Sequence, residues 1–174
     1  MEYKWKNNVI LSERNDLSKF LLDYYQSNPQ RKIIYLLGKG FDPRMTNGLR
    51  YFLPKVKSGQ IDCLLIDFPS TKTPPYQELI DDNMKELLGL YSKYEVTEHS
   101  EVSVDFSTNF DLALRLLDQK VAKYNFGKYT DIIIDISAIP RSIFFNIIKT
   151  IFGLQLGKNM MVFVSENVSM DIDI

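Results

Sequence analysis

Apolar and polar positions alternate between two periods along this chain, and the switches between them mark its elements. From Asp16, the spacing of Leu17, Phe20, Leu21, Tyr24 and Tyr25 predicts one face of a helix, which Asn28-Pro29 ends. The run 32–37 is continuously apolar after two basic residues, the pattern of a strand buried on both faces. A glycine turn follows, then a predicted helix over 46–56 closed by Ser58-Gly59, and a second buried strand over 61–68. Three prolines and three hydroxyl residues between positions 69 and 75 predict an irregular rim loop. The spacing of Leu79, Ile80, Met84, Leu87, Leu88 and Tyr91 predicts a long helix over 76–94. A polar connection is expected over 95–101, then a weaker strand over 102–106. The next helix is predicted over 109–124, with Leu112, Leu116, Leu117, Val121 and Tyr124 inside. A strand over 131–136, an apolar helix over 141–156 stopped by Gly157, and a strand over 160–164 complete the pattern. Residues 1–15 are largely polar with an aromatic handle at Trp5 and suit an extended lead-in.

Strand and helix alternate throughout, with connections too short to separate domains. The expectation is a single three-layer α/β domain over 1–174. It has a Rossmann-like, mostly parallel five-stranded sheet and helices on both faces. The stop soon after the last strand also suits the N-terminal part of a longer protein, and association with further copies stays open.

Composition narrows the function classes. Hydrophobic residues make up 45% and aromatics 13% of the 174 residues, enough for an ordered core without covalent staples. A formal net charge of −1 disfavours a nucleic-acid surface, and no stretch approaches the roughly 20 apolar residues of a membrane helix. Cys63 is the only cysteine, so no internal disulfide forms and a reduced cytoplasmic setting is expected. Within its apolar run, Cys63 reads as a small core residue. There is no Cys/His cluster for zinc and no Ser-His-acid set. His99, the single histidine, lies in a polar connection where a solvated ring is the expected reading.

The candidate chemistry gathers at strand ends. Asp67-Phe68-Pro69-Ser70, Asp105-Phe106-Ser107-Thr108 and Asp135-Ile136-Ser137-Ala138 each follow an apolar run and precede a helical pattern. In an open parallel sheet such ends share one edge, where these folds bind ligands at the point of strand-order reversal. The run 33–37 opens instead into Gly38-Lys39-Gly40-Phe41-Asp42-Pro43-Arg44. Two glycines let backbone amides approach a phosphate, and Lys39 and Arg44 add charge. The third glycine of the dinucleotide fingerprint is replaced by Pro43, and the Gly-Lys-Ser/Thr ending of a P-loop is missing. A plain tight turn explains the glycines as well. The aspartates can accept ribose hydroxyls or act as bases, or can cap the helices that follow. Asp135 is the leading catalytic candidate, with Ser137 and Arg141 beside it. Arg141 opposes the positive end of its helix, which a bound anion or a neighbouring acid would explain.

Leu37-Gly38-Lys39-Gly40-Phe41-Asp42 resembles the opening glycine motif of sirtuin-like domains in bacterial abortive-infection defence proteins. Ser107-Thr108-Asn109-Phe110-Asp111 is similar to the Thr-Asn-Tyr-Asp segment of the same class. The resemblance implies NAD phosphates on the glycine loop, with contacts from Gly38, Gly40, Asn109 and Asp111, and Asn109 beside the nicotinamide ribose. The histidine that family carries after the Asn segment has no counterpart, because His99 precedes it. The resemblance therefore implies ligand binding more than NAD cleavage.

The resulting expectation is a domain binding NAD or another nucleotide-like small molecule through Gly38, Lys39, Gly40, Asp42, Arg44, Thr108, Asn109, Asp135, Ser137 and Arg141. Asp135 and Asn109 are the candidates for any catalysis. The alternatives are an NAD-consuming enzyme and a non-catalytic protein-interaction domain.

Overall fold

A computed structural model describes residues 14–56, 60–69 and 76–165. The lead-in around Trp5, the Ser58-Gly59 stop and the rim loop beyond Pro69 lie outside the described residues. The chain runs α1 (Arg14–Gln26), β1 (Lys32–Gly38), α2 (Asn47–Phe52), β2 (Gln60–Asp67), α3 (Gln77–Lys93), β3 (Glu98–Ser103), α4 (Phe110–Lys123), β4 (Asp131–Asp135), α5 (Arg141–Gly153) and β5 (Asn159–Phe163). All five strands are parallel, in the order β3-β2-β1-β4-β5.

This order follows from handedness. Right-handed crossovers from β1 through β2 to β3 put α2 and α3 on one face, and the return through β4 to β5 puts α4 and α5 on the other. Two cores result. Ile33, Tyr35 and Leu37 of β1 pack with Leu21 and Tyr25 of α1, Leu49 and Phe52 of α2, and Leu87 and Tyr91 of α3. Ile34 and Leu36 pack with Leu117 and Val121 of α4 and Ile143, Ile147 and Ile151 of α5. The central strand β1 alternates its side chains between the two cores, which is why its sequence is apolar from Ile33 to Leu37.

Several elements differ from expectation for local reasons. Strand β3 begins at Glu98 and takes up most of the polar stretch read as a connection. Its register runs from Asp62↔Glu98 to Asp67↔Ser103, on a sheet edge where charged side chains face solvent. Pro54 turns the end of the second helix into a 3-10 turn, Leu53–Lys55. Helix α5 stops at Gly153, and Gln155 and Gly157 take positive φ values of 47° and 60° beyond it. On α3 and α4 the buried stripes are Leu87, Leu90 and Tyr91, and Ala113, Leu117 and Val121, while Leu79, Leu88, Leu112 and Leu116 face outward. Among the described residues no helix is long and apolar enough to cross a membrane.

Candidate functional site

Strands β1, β2 and β4 deliver Gly38, Asp67 and Asp135 to one edge of the sheet. The strand order reverses between β1 and β4, and there the two departing loops touch. A Cβ built on Gly38 would lie 2.6 Å from Ile139 Cγ1 and 3.1 Å from the Ala138 carbonyl oxygen. Gly38 therefore permits a close approach of two loops, with the buried Ile139 packed against it. Gly40 is looser: the nearest atom to its Cβ position is the Ala138 oxygen at 3.8 Å.

Asp135 turns away from the rim into the core. It is 2% exposed, its Oδ2 accepts from the Tyr35 hydroxyl at 2.8 Å, and its Oδ1 accepts from Ser137 N at 3.0 Å and from Ser137 Oγ. Burial raises its pKa, while the bonds from Ser137 and Tyr35 and the charge of Arg44 oppose the rise. Ser137 Oγ also accepts from Ser165 N at 2.8 Å, so this pair ties the end of β4 to the chain leaving β5. Tyr35, and Gly48 of α2, which packs against the Asp135 carboxylate, carry no local sequence signal for the role.

Most charges of the glycine turn are matched internally. Asp42 caps the 3-10 turn Pro43–Met45 by accepting from Arg44 N at 2.9 Å, and its carboxylate also accepts from the Arg44 guanidinium. Those bonds from Arg44 hold the Asp42 pKa below the usual carboxylate range. Asp42 thus caps the first turn after β1 with its own carboxylate. Lys39 Nζ lies 3.3 Å from Asp67 Oδ2. Beside them, burial and then the Asp67 charge raise the pKa of Glu101, against the pull of Lys39. Asn83 of α3, absent from the sequence candidates, donates its Nδ2 to the carbonyls of Gly40 at 2.9 Å and Asp42 at 3.0 Å.

The third loop is organised by capping. Asp105 Oδ1 accepts from Ser107 N at 2.7 Å, and Asn109 Oδ1 accepts from Leu112 N at 2.9 Å to start α4. Thr108 and Asp111 are exposed beside them. Arg141 is different. It opens α5, whose N-cap residue Pro140 supplies no side-chain cap, and it is exposed with no side-chain partner among the described residues. The structure thus brings Gly38, Lys39, Gly40, Asp42, Arg44, Ser137 and Arg141 to adjoining loops. Asp135 lies beneath them, and Thr108 and Asn109 lie on the β3 side.

The opposite edge holds a separate polar network. Asp62 and Asp131 are fully buried at the N-terminal side of the sheet, Asp62 accepting from the Tyr129 hydroxyl at 2.8 Å and Asp131 from Tyr24 at 2.7 Å and Arg31 at 3.0 Å. A hollow of about 480 Å³ opens there, lined by Glu98, Ser100, Tyr124, Asn125 and Lys128 among others. Among the described residues no group of three or more His, Cys, Asp or Glu side chains is gathered to hold a metal ion. Compared with known proteins, the chain matches no family model and no curated protein.

Proposed function

We propose that this Rossmann-like domain binds a phosphate-bearing, nucleotide-type ligand, such as NAD or another nucleotide, at the C-terminal edge of its sheet beside the β1/β4 switch point. The observation that carries the reading is Arg141. A cation on the first residue of a 13-residue helix opposes the helix dipole, and among the described residues neither an acid nor a side-chain cap offsets it. An anion at that terminus would meet both the guanidinium and the leading amides of the helix, those of Arg141 and Ser142. The glycine turn adjoins this point through Gly38 and Gly40, which pack against Ala138. Lys39, paired with the partly exposed Asp67, has the reach to transfer to a phosphate.

Binding without turnover suits the arrangement best. The carboxylate of Asp135 is enclosed by Tyr35 and Ser137, and the side-chain oxygen of Asn109 caps α4, so neither is poised for chemistry at the rim. A cytoplasmic, reduced setting belongs to the same proposal, since Cys63 is buried and unpaired. Thermal melting of the full chain with NAD or ATP tests it. Ligand at 100 times its dissociation constant should add about 2.7 kcal/mol to stability, and Arg141→Glu should abolish the shift. No shift in the wild-type protein, or an equal shift in Arg141→Glu, would overturn the reading. Release of nicotinamide from NAD would make the domain an NAD-consuming enzyme instead.

A further inference from the structure

The glycine turn also presents an aromatic ring that phosphate binding leaves unused. Phe41 follows Gly40 and is 50% exposed, and Tyr76, at the N-cap of α3, is 51% exposed. Their ring centroids are 4.8 Å apart with the planes inclined by 36°. Single exposed apolar side chains are ordinary on a protein surface. A packed pair of half-exposed rings beside a loop built for close backbone approach is a more specific feature.

Phe41 is held outward by the bonds of its own loop. Asn83 grips the carbonyls on both sides of it, those of Gly40 at 2.9 Å and Asp42 at 3.0 Å. Lys39 N donates to the Ile66 carbonyl at 2.8 Å, extending the β1–β2 pairing into the turn. Asp42 then caps the 3-10 turn that follows. A slack loop would fold its phenyl ring onto the nearest apolar surface. This one is fixed before, at and after Gly40, so its ring stays half-exposed and packs on Tyr76.

We infer that Phe41 and Tyr76 form the seat for the flat heteroaromatic base of the ligand, an inference that rests on reading the rim as a nucleotide site. Continuity with that site selects this occupant. Gly40, immediately before Phe41, faces the Ala138 oxygen at the entrance to α5, so a phosphate near Arg141 and a ring on Phe41 fall on adjoining loops. Stacking on aromatic faces is worth about 1–3 kcal/mol per base and accepts any base, because each has a π-face. The platform therefore selects for the presence of a base and for its stacking area, and purines are favoured over pyrimidines.

Calorimetry on the full chain with ATP, GTP, NAD and inorganic triphosphate tests this. The wild-type protein should bind ATP, GTP and NAD more tightly than triphosphate. Phe41→Ala should weaken ATP binding roughly 10-fold and leave triphosphate unchanged, and Phe41→Trp should restore ATP affinity. Tyr76→Ala should act in the same direction, and both positions are exposed enough for the variants to keep the wild-type circular dichroism spectrum. Equal affinity of the wild-type protein for ATP and triphosphate, or unaltered ATP binding in both alanine variants, would overturn the platform and leave the phosphate site standing. Failure of all four probes to bind the wild-type protein would remove the nucleotide site, and the platform with it.

Discussion

A Cβ on Gly48 would stand 2.0 Å from Asp135 Oδ2 and 2.6 Å from the Tyr35 hydroxyl oxygen. The carboxylate has no room to withdraw, since Tyr35 holds one oxygen and Ser137 the other. Gly48 is the second residue of α2, and glycine within a helix is intrinsically unfavourable, so its presence here reflects close packing of α2 on a buried polar pair. Gly48→Ala should therefore cost about 2 kcal/mol or more, because overpacking displaces either the helix or the hydrogen bonds. Gly89 of α3 provides the contrast: it is exposed, with nothing within 4 Å of its Cβ position. Gly89→Ala should stabilise by about 0.5–1 kcal/mol through helix propensity alone. Urea titrations read both values, and equal effects at the two positions would contradict this account of Gly48. Asp135 is thus a core residue positioned at a strand end, and a change there would register in stability before it registered in binding.

Which face of an element points inward was the part least legible in the sequence. Helix α4 carries apolar residues at 112, 113, 114, 116 and 117, so several faces satisfy a helical period. Packing against Ile34 and Ile134 selects Ala113, Leu117 and Val121, spaced four apart, and leaves Leu112 and Leu116 outside. The continuously apolar β1, β2 and β4 were legible because burial on both faces leaves no face to choose. Strand β3 was not, since an edge strand tolerates Glu98, His99, Ser100 and Glu101 in succession. The strand-end acids met the same limit. Their position followed from the pattern, but their direction depends on partners remote in sequence, such as Tyr35 and Gly48 for Asp135. Asn109 is the clearest case at this scale, since its side-chain oxygen starts α4. Asn109→Ala should lower stability by about 1 kcal/mol, and Asn109→Asp should retain most of it. A thermal melt distinguishes the two, and an unchanged melting temperature in Asn109→Ala would show that the cap does not contribute. Any loss of ligand binding in that variant must then be read against its lost cap.

The whole molecule consists of two parallel halves, β3-β2-β1 and β4-β5, joined along β1 and β4. Above the last paired residues their loops meet as Gly38 against Ala138 and Ile139, and this contact sets how far Arg141 and the start of α5 stand from the glycine turn. A methyl group on Gly38 would collide with Ile139 Cγ1 at 2.6 Å, a side-chain atom that can move, and press on the Ala138 carbonyl at 3.1 Å, which moves less easily. Gly38→Ala alone should destabilise by about 1–3 kcal/mol. Ile139→Ala alone should cost about 2–5 kcal/mol, as truncation of a buried isoleucine does. Together they should cost less than the sum, because the methyl added at 38 enters the space vacated at 139. The expected coupling is about 1 kcal/mol, within the range for residues in direct contact. Additive costs would mean that the halves are not wedged together at this point. If the double variant regains stability but still binds ATP weakly, then loop spacing at the switch point, and not global stability, governs the rim: the same two residues would hold the fold together and set the gap that the proposed ligand must bridge.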